Sequence, residues 1–147
     1  MATQEFRKLV EQGIAAAEQG NTLDALFRLE GAARVASTPQ VASYLGYCLA
    51  RERGEYKRAA DLCLEALKLE PAHAVHYLNL GRVYLAAGQK AAAIRTLRRG
   101  LKFDKSRAII QQLKKLGIRK EPVLPSLPRN HPVNKHLGRF LKRLGVR

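Results

Sequence analysis

Small residues recur in this chain at one interval, and that interval constrains the fold more than any other feature. Gly20, Gly54 and Gly88 are 34 residues apart, and so are Ala25, Ala59 and Ala93, Ala32, Ala66 and Gly100, and Leu29, Cys63 and Leu97. Four columns in phase mean that one supersecondary unit is written three times. Within the units the apolar residues keep helical spacing: Leu9, Gly13 and Ala16 then Leu26, Leu29 and Ala33 in the first, Leu62, Ala66 and Leu69 in the second, Leu80 and Tyr84 then Ile94, Leu97 and Leu101 in the third. Each unit reads as two helices joined by a turn at its glycine, a residue that takes a left-handed conformation past a helix end without a Cβ penalty. One such unit cannot bury its apolar face alone, so three must stack. The expected class is all-α, an α-solenoid of three helix-turn-helix repeats.

Composition narrows the class further. A chain of 147 residues with 46% apolar residues can bury a core without staples. Its two cysteines, Cys48 and Cys63, are too few for a disulfide framework, and Cys63 stands in the column of Leu29 and Leu97, so both read as small core hydrophobes in a reducing compartment. The N-terminus lacks the apolar stretch of a secretory signal and no run is long enough to cross a membrane, which points to a cytoplasmic protein. The net charge of +15 is uneven. Residues 1 to 73 hold nine basic against ten acidic residues, whereas residues 74 to 147 hold eighteen against two. The excess charge therefore belongs to the last repeat and to the C-terminal segment beyond it.

The third unit, with Tyr77, Leu80, Gly81 and Tyr84 followed by Ala93 and Leu97, resembles the tetratricopeptide repeat, whose pattern is an aromatic, Leu-Gly, Tyr, then Ala, an aromatic and Pro. The second unit resembles it through Leu45, Gly46, Leu49, Ala59, Cys63, Ala66 and Pro71, with Ala42 at the leading aromatic position. The first is weaker, with Leu9, Gln12, Gly13 and Ala16, then Ala25, Leu29 and Ala32, and Ser37 where the proline would close it. Gly13 to Gly46 is 33 residues and Gly46 to Gly81 is 35, which puts one extra residue in the second unit's first helix and would turn its inner face. Gly46 against Ala59 and Gly81 against Ala93 are the expected close crossings within a pair.

The resemblance implies a superhelix whose first helices line a concave groove for an extended or helical peptide. Counted from each helical glycine, the groove would take Val10, Ile14 and Ala17 from the first unit, Ser43, Tyr47 and Arg51 from the second, and Val75, Leu78, Arg82 and Leu85 from the third. Arginine's planar fork suits carboxylates, so Arg51 and Arg82 make an acidic, hydrophobic peptide the expected ligand. Family members that hold a chaperone's C-terminal carboxylate use Lys and Asn. Here those places carry Val10, Ile14, Tyr44, Val75 and Asn79, so that clamp is missing.

After the repeats, Ser106 to Leu116 shows an apolar stripe of Ile109, Leu113 and Leu116 with Arg107, Lys114 and Lys115 off it, which reads as a capping helix. The repeat domain with its cap is expected over 1–116. From 117 to 147 runs a basic tail, with Pro122, Pro125, Pro128 and Pro132 in extended chain and then Leu137, Phe140, Leu141 and Leu144 in a short amphipathic helix. Three readings of that helix stay open: fold-back onto the repeats, insertion in a partner's groove, or contact with an anionic membrane.

Catalytic patterns are thin. No phosphate loop, nucleophile elbow or zinc motif occurs. Among the four histidines, His73 and His76 read as surface residues at an inter-repeat turn. The expectation is a non-enzymatic scaffold or adaptor, with no cofactor and no metal, binding a protein or peptide, and open to self-association. The alternative is an RNA- or ribosome-associated factor that uses the basic row Arg95, Arg98, Arg99 and Lys102 with Lys114 and Lys115. Beside the protein or peptide of the first reading, nucleic acid is the secondary partner.

Overall fold

The computed structural model describes residues 3–117. Among them are seven helices: α1 (Gln4–Glu18), α2 (Thr22–Val35), α3 (Pro39–Arg53), α4 (Tyr56–Leu69), α5 (Ala74–Ala86), α6 (Lys90–Leu101) and α7 (Arg107–Lys115). No strand occurs among the described residues. The helices pack as the pairs α1 with α2, α3 with α4 and α5 with α6, and successive pairs stack through α2 on α3 and through α3 and α4 on α5. The chain divides by its contacts into Met1–Lys114 and Lys115–Arg147, and the repeats lie in the first unit. The expected tail helix at Leu137, Phe140, Leu141 and Leu144 lies outside the described residues.

Local chemistry sets the helix ends. Thr3, Thr38 and Ser106 each offer a side-chain oxygen to the backbone N–H three residues on, at 3.2, 3.2 and 3.4 Å, and Pro39 stands after Thr38 where a missing N–H costs nothing. Gly20, Gly54 and Gly88 close the first helix of each pair with φ of 82°, 65° and 77°, as the repeat columns require. The extra residue of the second unit lengthens α3. That helix runs seven residues beyond Gly46 to Arg53, whereas α1 and α5 end five residues beyond Gly13 and Gly81. Each second helix still begins two residues after its turn glycine, so the repeat regains register.

The small columns mark the closest approaches. A Cβ on Gly46 would lie 2.6 Å from the Ala59 carbonyl oxygen and 2.9 Å from Cys63 Sγ. At Gly13 and Gly81 the same atom would meet the Leu29 and Leu97 side chains at 2.8 and 2.7 Å. The first atoms a side chain at Gly81 would meet are those of Leu97. Because Cys63 is smaller than leucine, α4 brings its backbone against Gly46, and of these three crossings only that one has main chain as the obstacle. Cys48 and Cys63 are free and fully buried, as read from the column, and burial pushes both thiols up to about 12.

The core is centred on α3, where Val41 through Ala50 are buried without a break. Leu29, Leu49 and Leu97 are among its largest sealed side chains, each worth about 1.5–3 kcal/mol relative to exposure. Ile109 of α7 is also fully buried, against the position of Gly100, while Lys114 and Lys115 stay exposed. The capping helix is thus present, bonded at its start by Ser106.

Candidate functional site

The inner helices α1, α3 and α5 carry a continuous chain of polar side chains. At one end, Glu18 closes α1 and receives both terminal nitrogens of Arg82 from α5, Nη1 to Oε1 at 3.0 Å and Nη2 to Oε2 at 3.1 Å. The Tyr44 hydroxyl of α3 donates to the same Oε1 at 2.9 Å. Arg82 also lies over the Tyr47 ring, 4.7 Å from its centre. A two-pronged ion pair with a cation–π contact fixes the guanidinium in three directions.

From Arg82 the chain passes inward. Nη1 donates to Asn79 Oδ1 at 3.0 Å, and Asn79 Nδ2 donates to Ser43 Oγ at 3.1 Å. Ser43 Oγ lies 2.9 Å from His76 Nδ1, and His76 Nε2 lies 2.7 Å from Glu70 Oε1, at the end of α4. A carboxylate only accepts, so Nε2 holds the proton, Nδ1 accepts from the Ser43 hydroxyl, and every bond points from the Arg82 cation toward the Glu70 anion. Ser43, His76 and Asn79 are fully buried, and no buried side-chain polar atom among the described residues lacks a partner. Such a chain is stable because it is complete.

These contacts set the titrations. Burial holds the His76 imidazole below its ordinary value; the Glu70 carboxylate opposes this and the neighbouring His73 ring adds to it. Burial pushes Glu18 upward, but the Arg82 hydrogen bond and charge and the Tyr44 hydroxyl together hold it below the usual carboxylate range. Tyr44 is pushed up by burial and by the Glu18 charge.

Two cavities flank this chain. One of about 370 Å³ is lined by Glu18, Tyr44, Val75, Leu78, His73 and Asp104 among others; the second, about 410 Å³, is lined by Phe6, Arg7, Val10, Glu11, Pro39 and Glu70 among others. The expected groove residues therefore divide. Val75 and Leu78 share the first cavity and Val10 borders the second, while Ile14 is half-buried against the core and Arg51 is exposed at the end of α3. Leu85 is half-buried on α5. Ser43 and Tyr47 are buried in the seam between repeats, not open on a trough. Arg82 finds its carboxylate in Glu18 of its own chain. The surface reading of His76 is corrected outright: it is buried because α3 supplies a hydroxyl at the right height. His73 is exposed, with its ring 4.9 Å from that of His76.

Glu18, Tyr44, Asn79 and Glu70 were missed as site residues. The signal was available in α5, where His76, Asn79 and Arg82 repeat at three-residue steps through an otherwise apolar helix. Ser43, His76 and Glu70 are connected like a nucleophile, base and acid, yet the Ser43 oxygen is sealed and accepts from Asn79, so no substrate can reach it in this arrangement. No group of three His, Cys, Asp or Glu at metal spacing occurs among the described residues. None of their helices is long and apolar enough to cross a membrane. Arg95, Arg98, Arg99, Lys102, Lys114 and Lys115 are all exposed.

Residues 50–116 match the family model of the tetratricopeptide repeat. Among solved structures, the Sgt2 TPR domain of Aspergillus fumigatus superposes with a TM-score of 0.58 at 17% identity, covering 90% of this chain and 95% of that one. An O-GlcNAc transferase variant of Thermobaculum terrenum also gives a TM-score of 0.58, at 26% identity, covering 73% of this chain and 21% of that one. This chain therefore spans about a fifth of the transferase. Three stacked helix pairs with small residues at each crossing define a helical-repeat scaffold. Residues 50–116 are similar to tetratricopeptide repeats, and the described residues share the fold of a solved tetratricopeptide repeat domain.

Proposed function

We propose that this protein is an adaptor that takes a peptide or helical segment of a partner protein on the face formed by α1, α3 and α5. The observation that carries the proposal is the cavity of about 370 Å³ where Val75 and Leu78 meet Glu18 and Tyr44. An apolar floor with a few fixed polar groups at its edge is what side-chain recognition needs. Since Arg82 is neutralised by Glu18, the ligand's anchor is an apolar side chain, with its charge secondary. Val10, Ile14 and Leu85 extend the contact along the inner helices, and Arg51 is the cation left for an acidic residue of the ligand.

Selection of a random peptide library on the full chain tests this. Recovered peptides should share an apolar anchor, and binding should fall about a hundredfold on Val75→Arg, where a charge enters an apolar pocket, while Arg98→Glu leaves it unchanged. Recovery of peptides that bind Val75→Arg as well as the parent protein would reject this face as the site.

A further inference from the structure

Arg95, Arg98, Arg99 and Lys102 stand on one face of α6 and its C-cap, at steps of three and four residues, and all four are exposed. Earlier in the repeats four arginines find a carboxylate: Arg28 with Asp24, Arg53 with Glu30, Arg58 with Glu55, Arg82 with Glu18. None of the four α6 cations forms an ion pair among the described residues. The sequence explains this, because α6 and α7 contain no acid and Asp104 and Glu121 are the only two from Ala74 to Arg147. Like charges at these steps repel one another, and an external polyanion would relieve that repulsion.

The chemistry of the face selects among polyanions. Three of its four cations are arginines, whose forked donors match phosphate oxygens. The apolar side of α6, Ala93 and Leu97, is sealed in the third repeat, so the helix has no apolar face to place in a membrane. No large apolar residue of α6 is exposed to anchor an acidic protein. The residue after Lys102 is Phe103, half exposed and stacked on Tyr77 at 5.5 Å, which offers an aromatic surface to an unpaired base.

We propose that the outer face of α6 binds the phosphate backbone of single-stranded nucleic acid, without sequence preference and apart from the peptide-binding face. Fluorescence anisotropy of a labelled RNA of mixed sequence, about 20 nucleotides long, with the full chain is the test. Reversing Arg95, Arg98 and Arg99 to glutamate should weaken binding about tenfold or more and make the log–log salt slope shallower by about 2, one step of about 0.7 for each lost phosphate contact. Lysine at the same three positions should keep the salt slope. Circular dichroism should show all variants folded, since these side chains are exposed. Phe103→Ala should weaken RNA binding but not binding of a duplex of equal length. A triple reversal that binds RNA like the parent, or a parent that binds polyglutamate or phosphatidylserine vesicles as tightly as RNA, would overturn the proposal. Equal loss for RNA and duplex on Phe103→Ala would overturn its single-strand part.

Discussion

Two of the seams that meet at α3, toward α4 and toward α5, are held by opposite means. Toward α4, within its own repeat, α3 offers Gly46 to the Ala59 carbonyl and the small thiol of Cys63, and the contact is close and uncharged, with one hydrogen bond from the Cys63 thiol to the Ser43 carbonyl at 3.5 Å. Toward α5, in the next repeat, it offers Ser43, Tyr44 and Tyr47 to a run of hydrogen bonds that ends on charged groups. Apolar packing excludes bulky alternatives but says little about register. A directed hydrogen-bond chain is satisfied at one register only, so it fixes how the third repeat sits on the second.

Breaking the dry seam should cost most. Gly46→Val places carbon against main chain that cannot rotate away, and urea denaturation should show a loss of about 3 kcal/mol. In the polar seam, Arg82→Met leaves Glu18 and Asn79 short of a partner. Because the Glu18 side chain keeps 38% of its surface in solvent, the loss should be nearer about 2 kcal/mol, below that of a sealed pair. A double-mutant cycle with Glu18→Gln should show coupling between the two positions, whereas Gly46→Val and Arg82→Met should show it only through shared contact with α3. Thr38→Ala, which removes one cap, should cost about 1 kcal/mol.

The pH dependence distinguishes the seams without mutation. The folded His76 titrates below its unfolded value, so the unfolded chain binds the proton first as pH falls through about 6.5. The polar seam's stability is therefore complete above that pH and declines below it, until the folded imidazole also protonates. Glu18, lowered in the fold, adds a second decline as pH drops below the ordinary carboxylate value. His76→Gln should flatten the first decline in thermal melts between about pH 7 and 5, and the dry seam contributes nothing to either.

The repeat architecture was legible because a close helix crossing demands a small residue whatever surrounds it: Ala59 and Cys63 announce themselves by phase, and Gly46 stands one residue off it. The polar chain was not. Ser43 meets His76 and Asn79, 33 and 36 residues on, and Arg82 meets Glu18 64 residues back. None of these distances is the repeat length, so column arithmetic passes over them. His76 looked like a turn residue because it opens a helix, and only the neighbouring repeat turns that start into an interior position. Arg82 looked like a ligand's anchor for the same reason: its partner lies two repeats away.

Nitrogen-15 NMR of the His76 imidazole tests the polar seam most directly. The arrangement requires a neutral ring with its proton on Nε2 at about pH 7 and a titration below 6.5. A ring that titrates at or above 6.5, or that carries its proton on Nδ1, would contradict a chain of hydrogen bonds running from Arg82 to Glu70.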